Sequence, residues 1–320
     1  MNDSLVTEVV ISSEYHGQRV DVVLAQLFPD FSRSQLSHWL KEGAITLNQR
    51  TCKPKEKVLG GEILHLNILL TANHATQAPS VAEDIPIDVV YEDDHLLVIN
   101  KPSGLVVHPG AGNQQHTLVN ALLHHDASLQ HLPRAGIVHR LDKETTGLLI
   151  VARTITAYTS LIRQMQARDI QRSYIALVHG HVIAGSTIDT CYGRHPRNRL
   201  KMSVCSHGKQ AITQFSLRKQ YQYVTLLDVK LMTGRTHQIR VHMDHVNHPV
   251  VGDPLYGGRS RIPAGLSEAS RLALKQFTRQ ALHASSLSFL HPHTQEELNL
   301  KAPLPDDFQT LLTILDAEFA

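Results

Sequence analysis

The densest chemistry in this sequence falls in one run, Gly136-Ile137-Val138-His139-Arg140-Leu141-Asp142-Lys143-Glu144-Thr145-Thr146-Gly147-Leu148-Leu149-Ile150-Val151-Ala152-Arg153. Its ends are apolar, and its centre packs Arg140, Asp142, Lys143 and Glu144 with a histidine and two threonines between glycines. The pattern predicts a strand, a polar turn and a buried strand, with Asp142 at the apex and Arg140 two residues before it. A carboxylate on a turn carried by two strands is held more rigidly than one on an ordinary loop, as a positioned catalytic group requires. Taken alone, most such charge clusters are a solvated turn closed by an ion pair.

Histidine offers a second chemistry. The chain has 22 histidines, and His237, His242, His245 and His248 lie close together, which raises a metal-dependent hydrolase. Against it, no His-Glu-x-x-His pair occurs. The three cysteines, Cys52, Cys191 and Cys205, are far apart and imply a reducing compartment. The first residues lack a positive start followed by an apolar core, and no eighteen apolar residues run together, so a cytoplasmic protein without a membrane span is expected.

The chain of 320 residues, 42% hydrophobic, has room for one large domain and a small one. A net charge of +2 and a pI near 8.4 do not announce nucleic acid by themselves. The local distribution is more telling. Residues 192–220 hold seven Lys or Arg and no acid, whereas residues 83–94 hold six acids and no Lys or Arg, which suggests one basic face.

Among the elements that position these groups, Val20, Val23, Leu24 and Leu27 mark a short amphipathic helix ending at Pro29. Ser32 with Gln35 forms a capping box before Leu36, Trp39 and Leu40, and Gly43 stops that helix. Strands follow at Ala44–Leu47 and Ile63–Ile68. Residues 71–84 have no apolar period and read as a linker. A hairpin is expected over Val89–Asn100, helices around Leu118–His124 and Tyr158–Met165, and strands at Arg172–Val178 and Val224–Met232. Phe308, Leu311, Leu312 and Leu315 finish the chain with a helix.

The run from His139 to Leu149 resembles the signature of the RluA family of RNA pseudouridine synthases, and Lys101-Pro102, Gly234-Arg235-Thr236-His237-Gln238-Ile239-Arg240, Gly252–Gly257 and Leu282-His283-Ala284 follow the same family's pattern. The unit from Gly17 to Asn67 resembles the S-four RNA-binding domain through Ser32-Arg33-Ser34, Lys41, Gly43 and Asn48. The resemblance implies an α+β protein: an S-four domain over 15–72, a linker over 73–84, and a catalytic domain over 85–320 with a long mixed, mainly antiparallel sheet flanked by helices. It implies that Asp142 is the nucleophile, that Tyr174 lies in the active site and that Arg235 pairs with Asp142. Arg140 would fill the gap left by an extruded base.

Pseudouridine formation detaches uracil from its ribose, turns it and rejoins it through a ring carbon, so atoms balance without a metal or redox cofactor, and none is expected. Arg33 and Lys41 in the small domain, and Arg194, Arg197, Arg199 and Lys201 in the basic segment, would meet phosphates. The small domain and the run 197–204 most resemble family members that modify large-subunit ribosomal RNA. The expected partner is that RNA or a pre-ribosomal particle, bound by a monomer. A non-catalytic RNA-binding assembly factor is the alternative reading.

Overall fold

A computed structural model describes residues 4–28, 33–69, 81–110, 113–198, 200–257 and 265–318. The chain divides into two units, Met1–Ser80 and Val81–Ala320, each with its own apolar core.

The first unit runs β1 (Ser4–Val10), α1 (Val20–Leu27), α2 (Arg33–Glu42), β2 (Ile45–Leu47) and β3 (Ile63–Leu69), with sheet order β1-β3-β2. The helical spacing does what it predicts: Val20, Val23 and Leu24 of α1 and Leu36, Trp39 and Leu40 of α2 are buried against Ile45, Leu47, Leu64 and Leu66. The strand β1 extends the sheet beyond the segment that the sequence pattern singled out. After β2, Asn48 and Gln49 both take left-handed φ, 49° and 60°, the pair a tight two-residue turn requires. The Asn48 side chain then accepts the Ile63 N–H at 2.8 Å, tying the turn to β3. Ser32, the expected cap of α2, lies outside the described residues.

The second unit is built on a ten-stranded sheet of order β4-β5-β6-β12-β7-β11-β10-β8-β9, with β13 added on β12. In chain order these are β4 (Asp88–Glu92), β5 (Leu96–Lys101), β6 (Thr146–Ala152), β7 (Gln171–His179), β8 (Ser186–Arg194), β9 (Met202–Val204), β10 (Lys209–Gln220), β11 (Val224–Leu231), β12 (Leu282–Leu290) and β13 (Glu297–Lys301). Among the described residues only β6 and β12 pair in parallel, so the sheet is mixed and mainly antiparallel. Helices α3 (Leu118–His125), α4 (Ile155–Ala167), α5 (Gln238–His245), α6 (Glu268–Gln276) and α7 (Asp306–Glu318) cover it. Leu118 and Leu122 of α3, Met243 of α5 and Phe308, Leu311, Leu312 and Leu315 of α7 belong to one core cluster. Ala157 and Leu161 of α4 pack in another with Leu96, Val98, Leu148 and Ile150. Strands β5 and β6 are therefore buried on both faces, which explains their unbroken apolar runs.

Two expectations change in detail. The strand expected at Ile137-Val138 shrinks to one bridge between Ile137 and Val151, because Arg134, Ala135 and Gly136 all take positive φ and swing the chain away. Of the expected linker, Val81–Asp84 are tied to the second unit, since Asn120 Nδ2 donates to Val81 O at 2.7 Å and Glu83 N to Asn120 O at 3.0 Å. Residues 70–80 lie outside the described part.

Candidate active site

Asp142 lies in the loop that enters β6, and its neighbours are pinned from several sides. Its own carbonyl accepts the Thr145 N–H at 3.0 Å. The next carbonyl, that of Lys143, accepts from Gly104 N at 3.1 Å and Lys101 Nζ at 2.8 Å. Lys101 is fully buried, and its ammonium also donates to Pro102 O at 2.6 Å and Leu105 O at 3.0 Å. Burial pushes it down to about 7 against the pull of Glu144 and Asp142, while three carbonyls engage its three hydrogens. Gln280 Nε2 holds the Thr145 hydroxyl at 3.0 Å, and His283 meets that of Thr146 at 2.8 Å. At Gly147, φ is +110° and a Cβ would stand 2.2 Å from the Ala284 carbonyl, so glycine is what lets β6 lie against β12 here.

The carboxylate of Asp142, with its side chain 15% exposed, accepts Arg240 Nη1 on Oδ2 at 2.9 Å. Arg240 is 5% exposed and forks onto Asp253 as well, Nε to Oδ2 at 2.6 Å and Nη2 to Oδ1 at 2.9 Å. Asp253 is fixed in turn by the N–H groups of Leu255 and Tyr256 at 2.8 and 3.0 Å. Burial works against both charges, yet the Asp253 carboxyl stays below its usual range and Arg240 above its own, because each keeps an ionised, hydrogen-bonded partner.

The arginine that pairs with Asp142 is thus Arg240 and not Arg235, which corrects the expectation from the sequence. Arg235 is exposed, and its Nε reaches Gln210 O at 3.3 Å. The cause is the phase of α5. Gln238 opens that helix with every amide bond used: Oε1 accepts Thr233 Oγ1 at 2.9 Å and Arg235 N at 3.0 Å, and Nε2 donates to Ile212 O and Thr213 Oγ1 at 3.0 and 2.9 Å. That anchorage leaves Arg235 in the preceding turn and aims Arg240 inward.

His237 completes the rim. Its Nε2 stands 3.9 Å from Asp142 Oδ1, and its Nδ1 is 2.9 Å from the Tyr256 hydroxyl, which itself accepts Met202 N at 2.8 Å. Burial, opposed by the charge of Asp142, holds the imidazole below its ordinary pKa. The Arg240 guanidinium and Lys201 Nζ lie 5.1 and 5.5 Å from the centre of the Tyr256 ring. Tyr174, on β7 opposite Val229 of β11 and Ala284 of β12, is 5% exposed. Burial raises its phenol, with Asp142 adding to the effect and Arg172 opposing it. Strands β6, β12, β7 and β11 are consecutive in the sheet, and so the Asp142 loop, Tyr174 and the helix after β11 meet at its middle.

The other sequence-derived residues fall as follows. Arg140 is exposed, two residues before Asp142. Arg194 ends β8 and Arg197 follows in the next loop, both exposed; Lys201 comes from that loop to the Tyr256 ring, and Arg199 lies outside the described residues. Lys41 is exposed in the last turn of α2, and the Arg33 side chain lies outside the described part. Three of the four clustered histidines have separate partners: His237 faces Asp142 and Tyr256, His242 sits between Thr190 and Thr213, and His248 meets His179 O. Sequence reasoning did not single out Arg240, Asp253 or Tyr256 as site residues and weighed His237 only as a metal ligand, although all four stand in motifs that it quoted. The apolar pair Ile239 and Met243, one helical turn apart, was the available signal for an inward-facing helix at Arg240.

Residues 95–245 match the RNA pseudouridylate synthase family, and residues 18–64 match the S4 domain. Over 318 residues the chain is 49% identical to "Ribosomal large subunit pseudouridine synthase D" of Xanthomonas campestris pv. campestris, covering 99% of this chain and 95% of the relative. Proteins of the same name from Escherichia coli (strain K12) and Pseudomonas aeruginosa are 48% and 47% identical, over 97% and 98% of this chain and 94% and 97% of the relatives. Among solved structures, "Human RNA Pseudouridylate Synthase Domain Containing 4" superposes with a TM-score of 0.57 at 26% identity, covering 72% of this chain and 93% of the human one.

Proposed function

The chain belongs to the RNA pseudouridylate synthase family, and on that premise we propose that it isomerises specific uridines of large-subunit ribosomal RNA with Asp142 as nucleophile. It is an isomerase acting on RNA. The observation that carries the proposal is the buried Arg240, which orients the Asp142 side chain through a hydrogen bond of 2.9 Å. An aspartate is anionic at neutral pH and needs no base to activate it. The target must leave its stack, at a cost of roughly a few kcal/mol. Arg140 fills the gap it leaves, and the ring of Tyr174 offers a stacking face worth on the order of 1–3 kcal/mol.

The phosphates flanking the target meet Arg194, Arg197, Arg199 and Lys201, and the S4 domain engages further phosphates through Arg33 and Lys41. The naming of its relatives supports ribosomal RNA, free or in a pre-ribosomal particle, as the substrate. A cytoplasmic monomer completes the proposal; the free thiols of the three cysteines are in keeping with a reducing compartment.

The test is sequencing of ribosomal RNA after pseudouridine-specific chemical labelling, with the parent and with Asp142→Asn. The amide is nearly isosteric but cannot attack. Pseudouridine should vanish from the target positions while RNA affinity stays within a few-fold, and full modification by the variant would overturn the assignment.

A further inference from the structure

Arg172 is a buried arginine of the second unit that stands apart from the Asp142–Arg240–Asp253 chain. Arg240 is matched by Asp142 and Asp253, and Arg279 by Asp307 through two bonds of 2.6 Å. Arg172 is 8% exposed, its Nε is fully buried without an acceptor, and among the described residues no carboxylate pairs with it. A buried N–H without an acceptor is costly to keep, and here it belongs to a side chain for which no protein acceptor is found among the described residues.

Its surroundings are also donors. His139 Nε2 accepts the Ile150 N–H at 3.0 Å, which places the imidazole hydrogen on Nδ1, and that atom is buried without a partner. Burial, and next the charge of Arg172, pull His139 down to about 3, so the ring stays neutral. On the other side stands the turn before α5, where a methyl group on Gly234 would come within 2.5 Å of Arg172 Nη1. Arg172 leaves β7 two residues before Tyr174, on the same face of the strand, and His139 precedes Asp142 by three residues. A guanidinium with no carboxylate partner among the described residues therefore stands against the Gly234 turn, on the strand that carries Tyr174.

We propose that Arg172 is an anion subsite that takes a non-bridging phosphate oxygen of the RNA next to the extruded uridine. Uracil is neutral before reaction and cannot compensate a buried guanidinium, whereas the backbone carries one negative charge at every step. Glycine at position 234 spares the guanidinium a Cβ that would stand 2.5 Å from Nη1, and the loop of His139 adds a second hydrogen-bond donor without a partner. Turning a nucleotide out of its stack swings its phosphates, so a cation fixed beside Tyr174 selects the strand conformation in which the base has entered the site.

The inference rests on the RNA reading above, and binding and modification are therefore measured separately. A hairpin RNA that the parent protein converts to pseudouridine is prepared with neutral methylphosphonate at the phosphate on either side of the target, one at a time, and equilibrium affinities are measured for the parent, Arg172→Gln and Arg172→Lys. One methylphosphonate should weaken the parent about tenfold and leave Arg172→Gln unaffected by the same change. Arg172→Gln on unmodified RNA should show the same loss and a log-log salt slope shallower by about 0.7. Arg172→Lys should recover part of the affinity. The RNA arm leaves the protein untouched, so it reads out even if a variant unfolds, which a thermal melt reports. Equal methylphosphonate penalties in the parent and in folded Arg172→Gln, or no penalty in the parent at either position, would overturn the subsite. A parent that converts no ribosomal RNA hairpin to pseudouridine would instead defeat the functional proposal, whatever the binding arm shows.

Discussion

At the scale of single residues, the Asp142–Arg240–Asp253 chain carries the energetics of the site. Arg240→Ala leaves two carboxylates without their cation, one of them buried, and breaking such a pair costs about 3–5 kcal/mol. The variant should melt well below the parent and form no pseudouridine. Arg235→Ala removes an exposed side chain and should stay within about 0.5 kcal/mol of the parent. Denaturant titrations of the two side by side check this, and equal losses would sink the assignment of Arg240. For Tyr174, the ring and the hydroxyl have separable tasks. Burial keeps the phenol protonated at neutral pH, so it takes the ring-carbon proton only by passing its own to the carboxylate that Asp142 regains on leaving the nucleotide. Tyr174→Phe should bind RNA and detach the base, then slow the last deprotonation by about 10²–10⁴-fold. Single-turnover kinetics that follow base detachment and final product separately decide the matter. Product at the parental rate would assign the proton to another group.

At the scale of elements, α5 decides which arginine meets Asp142, and this is where the sequence stopped being legible. The motif around Arg235 and Arg240 was plain, as were the helices of the small unit, because apolar spacing and stop residues are local signals. The inward face of an eight-residue helix depends instead on what its ends bond to. Gln238 and His242 reach Thr213 on β10 and Thr190 on β8, strands brought beside α5 only by the folded sheet. The strand β1 escaped for the same reason, since its partner β3 lies more than fifty residues away. His242 and Arg240 are two residues apart, so they point to opposite sides of α5, and anchoring one aims the other. His242 is fully buried and titrates near 4, because burial disfavours its charge. Its folded pKa lies below the value near 6.5 of an unfolded histidine, so between those values the unfolded chain binds the extra proton. Its contribution is complete above about 6.5 and is lost as pH falls toward 4. The stability gap between the parent and His242→Gln should therefore shrink by about 1–2 kcal/mol from pH 7 to pH 5. Urea titrations at both pH values measure it, and parallel pH dependences would mean that this histidine does not report the anchorage of α5.

At the scale of the whole molecule, two separate cores divide the work between chemistry and capture. Among the described residues, nothing in the core that surrounds the Asp142 loop draws on positions before Ile85, and the first unit closes its own core around Trp39, Leu36 and Leu64. The catalytic unit should therefore fold when the chain is shortened to residues 81–320, a cut that keeps the hydrogen bonds of Val81 and Glu83 to Asn120. Charge is divided as well. The basic loop after β8 stays with the site through Lys201 and Met202 at Tyr256, whereas Lys41 leaves with the small unit. On a short hairpin the shortened chain should modify its target at a rate close to that of the full protein. On a longer structured RNA it should bind more weakly and with less dependence on salt, the log-log slope falling by about 0.7 for each phosphate that the small unit no longer neutralises. Affinities measured across a salt series for both proteins decide this. An unchanged slope would mean that Arg33, Lys41 and their neighbours do not touch phosphate, and that the small unit serves the substrate through shape or protein contacts instead.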